Sequence, residues 1–159
     1  MYYFAYGSNL NVEQMRRRCH GAQLIGTAYW EGHRLAFRGS KTGAYLTVIP
    51  AEGYSVPIGV WYVDKADLKS LDRYEGYPHF YDRQEIWLQC YRKGLGIRNA
   101  PAFRANGKVY VMTGIREPGV PSIQYFEVCR QGYDDFGFPL DPLLLALETV
   151  KEEVLNYGA

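Results

Sequence analysis

Short strand-like runs fill the first two thirds of this chain and constrain its fold more than any other feature. They are rich in aromatic and β-branched residues, and Gly, Ser and Pro separate them, as expected of strands and their turns. The runs are Tyr2–Tyr6, Ala28–Phe37, Ala44–Ile49, Ile58–Val63, Arg83–Tyr91 and Lys108–Thr113. Because many short strands must hide their edges, the pattern predicts a curved or closed sheet.

Helix signals lie between these runs and collect in the last third of the chain. The predicted helices, each written from its capping residue, are Asn11 to about Cys19, Asp64 to about Tyr74, Ser122 to about Gln131 and Asp141 to about Leu155. Gln14 is placed to complete a capping box with Asn11, and Gly76 follows the end of the second helix. Strands that come first and helices that collect late predict a mixed α+β domain.

The composition fits one globular domain over residues 1–159. Hydrophobic residues make up 47% of the chain and charged residues 22%, which is the balance of a folded protein and not of a disordered one. The formal net charge of +1 argues against electrostatic capture of nucleic acid or of an anionic membrane. The basic run Arg16-Arg17-Arg18 falls in a helical pattern and is interpreted as a solvated face.

Targeting and membrane signals are lacking. No apolar run approaches the roughly 18 residues of a membrane span, and no basic segment followed by an apolar stretch marks a signal peptide. The three cysteines, Cys19, Cys90 and Cys129, lie far apart and form no Cys-x-x-Cys motif. This usage indicates reduced cysteines, so we expect a cytoplasmic location.

Several familiar catalytic arrangements lack their local signatures. Ser8 has no Gly-x-Ser-x-Gly elbow, which argues against a serine hydrolase of that type. The three histidines show no metal-ligand spacing, so no metal site is predicted. Cys19 and His20 are adjacent in a predicted helix and point in different directions, which argues against a nucleophile pair.

The segment Gly7-Ser8-Asn9 follows the first predicted strand and runs into a capped helix. Glycine allows a ligand to approach the main chain, and backbone N–H groups that converge near a helix N-terminus suit a carboxylate or another small anion. A nucleotide phosphate is disfavoured because the lysine of a phosphate-binding loop is missing. A plain strand-to-helix turn explains the same residues, and the local sequence leaves both interpretations open.

Glu75 is the titratable residue that the pattern singles out. Together with Leu68 and Leu71 it continues the apolar stripe of the second helix, at spacings of three and four residues. Partial burial and a position at the helix C-terminus both raise the pKa of a carboxyl group, which favours a general acid/base. A frayed helix end with the side chain in water remains the alternative. The other charged residues of this helix, Asp67, Lys69 and Asp72, are interpreted as ordinary surface charges.

The chain has 15 tyrosines, an unusually high number for its length. Most are expected in the core or the sheet, since the ring is large and apolar. Tyr110 in a strand and Tyr125 in a helix could direct their hydroxyl groups into a polar pocket, but the pattern alone does not select them.

Three ordered blocks resemble the γ-glutamylcyclotransferase-like family, which includes γ-glutamylamine cyclotransferase and AIG2-like proteins. YFAYGSNL at Tyr3–Leu10 is similar to the N-terminal substrate-loop motif of the family. SLDRYEGYPHFY at Ser70–Tyr81 is similar to the block that carries the catalytic glutamate, and Pro121–Glu148 is similar to the C-terminal helical block. The resemblance therefore spans nearly the whole chain.

The resemblance implies a fold and a set of site residues. The fold is a compact barrel-like mixed sheet with flanking α-helices, and no metal or cofactor is implied. The catalytic acid/base maps onto Glu75. The implied substrate-binding residues are Tyr6, Gly7, Ser8, Asn9, Leu10, Tyr81, Tyr110 and Tyr125. The connection Arg92–Gly107 is longer than the corresponding hairpin of the family, so the leaving group is not predicted.

The implied activity is that of an acyltransferase or lyase acting on a small γ-glutamyl substrate. The α-amine attacks the γ-amide carbonyl and closes 5-oxoproline, with Glu75 moving the proton and the Tyr6–Leu10 loop holding the α-carboxylate. A γ-glutamyl-removing enzyme of a biosynthetic intermediate would use the same chemistry. A non-catalytic module that binds a small carboxylate remains the alternative of a different class. Neither the oligomeric state nor the groups of the oxyanion hole follow from the sequence.

Overall fold

The computed structural model describes residues 1–40, 43–93 and 101–157. Its strands are β1 (Tyr2–Ala5), β2 (Gln23–Ser40), β3 (Gly43–Tyr62), β4 (Tyr81–Arg92) and β5 (Phe103–Met112). Its α-helices are α1 (Val12–Arg18), α2 (Lys65–Glu75), α3 (Ile123–Phe136) and α4 (Asp141–Tyr157). A short 3₁₀ turn, Ser8–Leu10, joins β1 to α1. The predicted α+β class is confirmed.

The strands close into a barrel in the order β1-β3-β2-β4-β5. Neighbouring strands pair antiparallel except at one junction, where β1 and β5 run parallel with Tyr2 opposite Gly107. Closure removes the exposed sheet edges that short strands would otherwise leave. The predicted closed sheet is therefore confirmed, and its single parallel junction makes it a mixed one.

The break predicted between the strands Ala44–Ile49 and Ile58–Val63 is wrong, because β3 runs through both and ends at Tyr62. Pro50 was expected to end a strand, yet it pairs with His33 of β2. The register shifts beside this pair, where residues 51–54 lie opposite Gly32. A proline is tolerated at such an irregularity, since no ladder bond requires its missing N–H group.

The helix boundaries follow the predicted capping residues. Asp64 forms a capping box with Asp67 at the start of α2, and Gly76 ends that helix in the left-handed conformation. Ser122 caps α3, which extends to Phe136, beyond the predicted end. The long connection Arg92–Gly107 between β4 and β5 is shorter than expected because β5 begins at Phe103, and residues 94–100 lie outside the described residues.

The capping box predicted for α1 is only half formed. The Asn11 side chain accepts a hydrogen bond from the Gln14 backbone N–H at 3.0 Å. The Asn11 backbone N–H donates instead to the Ser8 carbonyl oxygen of the 3₁₀ turn, also at 3.0 Å. That donor is therefore not available to the Gln14 side chain, and the cap becomes part of the turn that precedes the helix.

Helix α3 packs directly on the turn between β1 and α1. Asn11 Nδ2 donates to the Val128 carbonyl oxygen at 3.2 Å, and the Val12 N–H donates to Asp135 Oδ2 at 3.0 Å. Gly132 is buried at this contact, and a β-carbon built on it would lie 2.6 Å from the Asn11 backbone nitrogen. The absence of a side chain at Gly132 thus allows the helix to approach the turn this closely.

We expect Gly132→Ala to lower the free energy of unfolding by about 1–3 kcal/mol, although alanine favours helices, because the added methyl group overpacks a backbone contact. Urea unfolding measures this change. Asp134→Ala, an exposed substitution in the same helix, serves as the matched control and should be close to neutral. An unchanged or raised stability of Gly132→Ala would show that the contact relaxes freely.

Tyr133 carries a buried hydroxyl group on α3. The residue is fully buried, its ring packs edge-on against Phe138, and its hydroxyl has no hydrogen-bond partner among the described residues. Burial of an unpaired polar group costs free energy. The core therefore contains one hydroxyl whose removal should be favourable.

We expect Tyr133→Phe to raise the free energy of unfolding by about 1 kcal/mol, since it removes the unpaired hydroxyl and keeps the ring. Tyr81→Phe is the matched comparison, because the Tyr81 hydroxyl donates to the Leu46 carbonyl oxygen at 2.6 Å. That substitution should lower stability. Thermal unfolding of both variants tests the opposite signs, and equal changes would contradict the prediction.

Candidate active site

A cavity of about 330 Å³ opens where the β1–α1 turn meets the C-terminal end of α2. This volume is that of a small-molecule site. Its wall is mainly aromatic, with polar groups from the turn and from α2. The lining residues include Tyr3, Tyr6, Gly7, Ser8, Asn9, Tyr45, Arg73, Tyr74, Glu75, Phe80, Tyr81, Tyr110 and Tyr125.

The turn that lines this cavity contains main-chain donors without acceptors. The N–H groups of Gly7, Ser8 and Asn9 have no acceptor among the described residues, and all three residues line the cavity. The Leu10 N–H donates to the Gly7 carbonyl oxygen at 3.0 Å, and the Leu10 side chain is fully buried in the core. Leu10 therefore shapes the turn from behind and does not line the cavity.

Asn9 joins the turn to Glu75. The Asn9 side chain is 2% exposed, and its Nδ2 donates to Tyr3 Oη at 2.9 Å and to Glu75 Oε1 at 3.4 Å. Trp61 Nε1 donates to the Asn9 carbonyl oxygen at 3.1 Å. Two sequence blocks that are far apart in the chain thus meet at one carboxyl group.

Glu75 ends α2 with its side chain directed into the cavity, where it is half-buried. Leu71, one turn earlier on the same face, is fully buried in the core, which fixes the helix with this face inward. Burial disfavours the carboxylate and raises the pKa of Glu75 to about 7, with Arg18 partly opposing the rise. A carboxyl group with this pKa can both accept and donate a proton near neutral pH.

The hydroxyl groups of the cavity tyrosines differ in what they already bond. Tyr6 donates to the Tyr110 carbonyl oxygen at 2.5 Å, and Tyr110 donates to Asp72 Oδ1 at 2.6 Å. Tyr81 donates to a backbone carbonyl as described above. Tyr125 instead accepts the Leu46 N–H at 3.1 Å. Burial raises the pKa of all these hydroxyls, so they remain neutral donors and acceptors.

The interpretation of Asp67 and Asp72 as surface charges is wrong. Asp67 is buried in the capping box of α2 and accepts the Gly21 N–H at 3.2 Å. Asp72 is half-buried, accepts the Tyr110 hydroxyl and forms an ion pair with Arg83 at 2.6 Å. These partners lie in other elements, which the helix pattern could not reveal. Lys69 is exposed, as predicted.

The prediction of a solvated basic face is wrong for Arg18. Arg16 and Arg17 are exposed, but Arg18 is half-buried and its Nη1 donates to Asn9 Oδ1 at 2.6 Å. Its guanidinium carbon lies 3.1 Å from the centroid of the Tyr74 ring. No sequence signal distinguishes it from its two neighbours, because the contacts come from the turn and from α2.

The other candidates considered from sequence stay apart from this cavity. Cys19 is buried, its Sγ donates to the Asp67 carbonyl oxygen, and burial raises the pKa of the thiol to about 12, which disfavours a thiolate. Within residues 1–40, 43–93 and 101–157, no cluster of His, Cys, Asp and Glu could hold a metal ion. In the same ranges no helix is long and apolar enough to span a membrane.

Sequence comparisons with known proteins all indicate the same family. Residues 3–127 match the family described as gamma-glutamyl cyclotransferase, AIG2-like. The gamma-glutamylcyclotransferase of Homo sapiens is 30% identical over 146 residues, which are 87% of this chain and 73% of that protein. The Bos taurus protein of the same name is 31% identical over 147 residues, with the same two coverages of 87% and 73%.

Solved structures agree with this match. One named gamma-glutamyl cyclotransferase superposes with a TM-score of 0.74 at 28% identity, covering 95% of this chain and 86% of that one. The crystal structure of a mouse AIG2-like protein superposes with a TM-score of 0.55 at 22% identity and supports the fold alone. The barrel with its flanking helices is therefore the architecture that these proteins share.

Proposed function

This chain belongs to the gamma-glutamyl cyclotransferase, AIG2-like family, and from that premise we propose that it is a γ-glutamyl cyclotransferase. Its substrate is a small γ-glutamyl amide. The α-amine of the glutamyl group attacks the γ-carbonyl carbon, a new C–N bond closes the lactam, and the original amide C–N bond breaks. The products are 5-oxoproline and a free amine or amino acid.

In this proposal the turn holds the α-carboxylate of the glutamyl group. Gly7, Ser8 and Asn9 line the cavity, and their N–H groups, which have no acceptor among the described residues, are available to bond a small anion there. Leu10 contributes indirectly, since its N–H and its buried side chain fix the turn. A fixed carboxylate brings the α-amine close to the γ-carbonyl, and such positioning contributes roughly 7–11 kcal/mol to intramolecular reactions.

Glu75 acts as the general acid/base. An α-ammonium group has a pKa of about 8 and must lose a proton before it attacks. The pKa of Glu75, raised to about 7 mainly by burial, lies close enough for efficient transfer of that proton. The protonated carboxyl group then gives this proton to the departing nitrogen. The attacking nitrogen must lose a second proton to become the lactam N–H. The regenerated carboxylate of Glu75 takes that proton and passes it to the free amine, which leaves as an ammonium ion, so the enzyme ends each turnover unchanged.

The cavity tyrosines divide the remaining roles. Tyr6, Tyr81 and Tyr110 donate their protons to protein acceptors, so their oxygen lone pairs are available to an ammonium group. Tyr125 already accepts a backbone N–H, so its own proton can turn towards the carbonyl oxygen of the substrate. We propose that Tyr125 stabilises the negative charge that develops on that oxygen.

One observation carries the proposal: Asn9 Nδ2 of the turn lies 3.4 Å from Glu75 Oε1 of α2, and both residues line the same cavity. A carboxylate-binding turn and a proton-transferring carboxyl group are the two parts that the reaction requires. The contact supports the proposal that the turn and the carboxyl group act on the same small substrate. The aromatic wall of the cavity lowers the local dielectric around the reacting groups.

The test is to incubate the purified protein with a panel of γ-glutamyl amines, amino acids and peptides. We expect 5-oxoproline and free amine in equal amounts. N-acetylated γ-glutamyl substrates, which lack the attacking amine, should give neither product. If no panel member yields 5-oxoproline although some raise the melting temperature by binding, a non-catalytic carboxylate-binding module replaces the proposal. Turnover of a biosynthetic intermediate alone would identify the more specialised γ-glutamyl-removing enzyme.

A further inference from the structure

Arg18 makes three contacts that a solvated arginine would not make. Its Nη1 donates to Asn9 Oδ1 at 2.6 Å and lies 3.4 Å from Ser8 Oγ. Its guanidinium group stacks on the Tyr74 ring of α2. The side chain thus spans from the end of α1 across the turn to the helix that carries Glu75, without lining the cavity itself.

The contact with Asn9 determines which way the Asn9 amide points. A primary amide has an acceptor oxygen and a donor nitrogen, and Arg18 offers donors only. With Oδ1 held by Arg18, Nδ2 faces Glu75 Oε1 and Tyr3 Oη. The reversed amide would place two donors in contact at Arg18 and two oxygens in contact at Glu75. Because Asn9 is 2% exposed, water does not offer its side chain an easy substitute for these bonds.

We propose that Arg18 is a positioning residue for the reaction: by holding Asn9 Oδ1 it keeps the Asn9 amide donating to Glu75. The inference rests on the proposed role of Glu75 as acid/base. Arg18 acts through Asn9 and touches neither the substrate nor the reacting atoms. Its loss should therefore alter proton transfer more than substrate binding.

The charge of Arg18 has a second effect on Glu75. Burial raises the pKa of Glu75, and the nearby guanidinium group lowers it in part. The other titratable and charged groups that line the cavity together with Glu75 are Tyr3, Tyr6, Tyr45, Arg73, Tyr74, Tyr81, Tyr110 and Tyr125. Loss of the Arg18 charge should therefore move the Glu75 titration to higher pH.

The experiment compares Arg18→Met, Arg18→Gln and Arg18→Lys with Arg17→Met. Arg17 is exposed on the same helix and pairs with Glu13, so its variant removes the same charge away from Asn9 and should behave as wild type. For Arg18→Met we expect kcat to fall by up to roughly 10²-fold, as for a catalytic group misplaced by about 1 Å, with little change in KM. The ascending limb of its pH–rate profile should move up by about one pH unit.

Carboxyl ¹³C NMR gives a readout that does not need activity. The Glu75 resonance is assigned by its loss in Glu75→Gln, and its titration is followed in each Arg18 variant. The midpoint should rise in Arg18→Met and Arg18→Gln and stay near the wild-type value in Arg18→Lys. Arg18→Gln, which retains a donor for Asn9 without the charge, should lose less kcat than Arg18→Met.

The outcomes separate this inference from the proposed function. A wild-type protein that makes no 5-oxoproline removes the function, while the NMR titrations still test the coupling of Arg18 to Glu75. An Arg18→Met variant with wild-type kcat and an unmoved midpoint overturns the inference. A folded variant that loses kcat with an unmoved midpoint also overturns it, since Arg18 would then be only structural. If Arg18→Met does not fold, Arg18→Gln decides by the same criteria.

Discussion

Glu75→Gln is expected to reduce the rate of 5-oxoproline formation by about 10²- to 10⁴-fold, the usual contribution of a general acid/base. Glutamine has nearly the same shape as the protonated carboxyl group and can still contact Asn9 Nδ2 through its oxygen. It cannot take a proton from the α-ammonium group of the substrate. KM should therefore change little while kcat falls, and single-turnover assays of 5-oxoproline measure the loss.

Glu148→Gln supplies the matched control for this loss. Glu148 is exposed on α4 and does not line the cavity, so the same chemical change there should leave kcat as in the wild type. Residual activity of Glu75→Gln within a few fold of the wild type would show that another group moves the proton. An intact near-ultraviolet circular dichroism spectrum would rule out unfolding as the reason for a loss.

Glu75→Gln should also make the free energy of unfolding less dependent on pH. A carboxyl group whose pKa rises from 4.5 unfolded to about 7 folded keeps its proton in the folded state after the unfolded chain has lost it. The loss of folding free energy that this raised pKa causes is absent below pH 4.5. It grows as the pH rises to 7 and is constant above pH 7. The wild type should thus lose about 3 kcal/mol of stability across this window.

Urea unfolding of wild type and Glu75→Gln at several pH values between 4.5 and 8 tests this prediction. Groups common to both proteins cancel in the difference, which should grow with pH in favour of the variant. Parallel stability curves would mean that Glu75 titrates normally in the folded protein. The variant would then combine its low activity with no gain in stability, contrary to the trade-off expected when a site carboxyl group is buried.

Local signals predicted much of the fold because caps act within one helical turn. Asn11, Asp64 and Ser122 all cap helices, and Gly76 ends α2. The inward direction of Glu75 also followed from the apolar stripe of its own helix. These features depend on neighbours no more than a few residues away, so a single sequence contains the information.

The partners of polar groups could not be predicted in the same way. Arg18, Asp67 and Asp72 look like surface charges on a helical wheel, yet their partners come from other elements of the fold. Tyr3 was likewise missed, although it lies in the quoted N-terminal block, because its bond to Asn9 depends on how the turn folds back. Single-sequence patterns describe one face of one element and not what packs against it.

The sheet illustrates the same limit for backbone structure. Pro50 is a strand terminator by local rules, but the irregularity next to it in its own strand, where residues 51–54 lie opposite Gly32 of β2, accommodates it. Whether a proline ends a strand depends on the register of another segment. The resemblance of the three blocks to a known family supplied the barrel, which the spacing of strands had limited only to a curved or closed sheet.

The parallel junction between β1 and β5 has a consequence for the order in which a nascent chain becomes competent. β1 and the turn leave the ribosome early, but the strand that closes the barrel beside them begins at Phe103, and Tyr125 comes later still. Contacts of such long sequence separation form slowly in folding. The cavity therefore forms late in folding. The recovery of turnover during refolding would report the pairing of β1 with β5, not the earlier formation of the long β2–β3 hairpin.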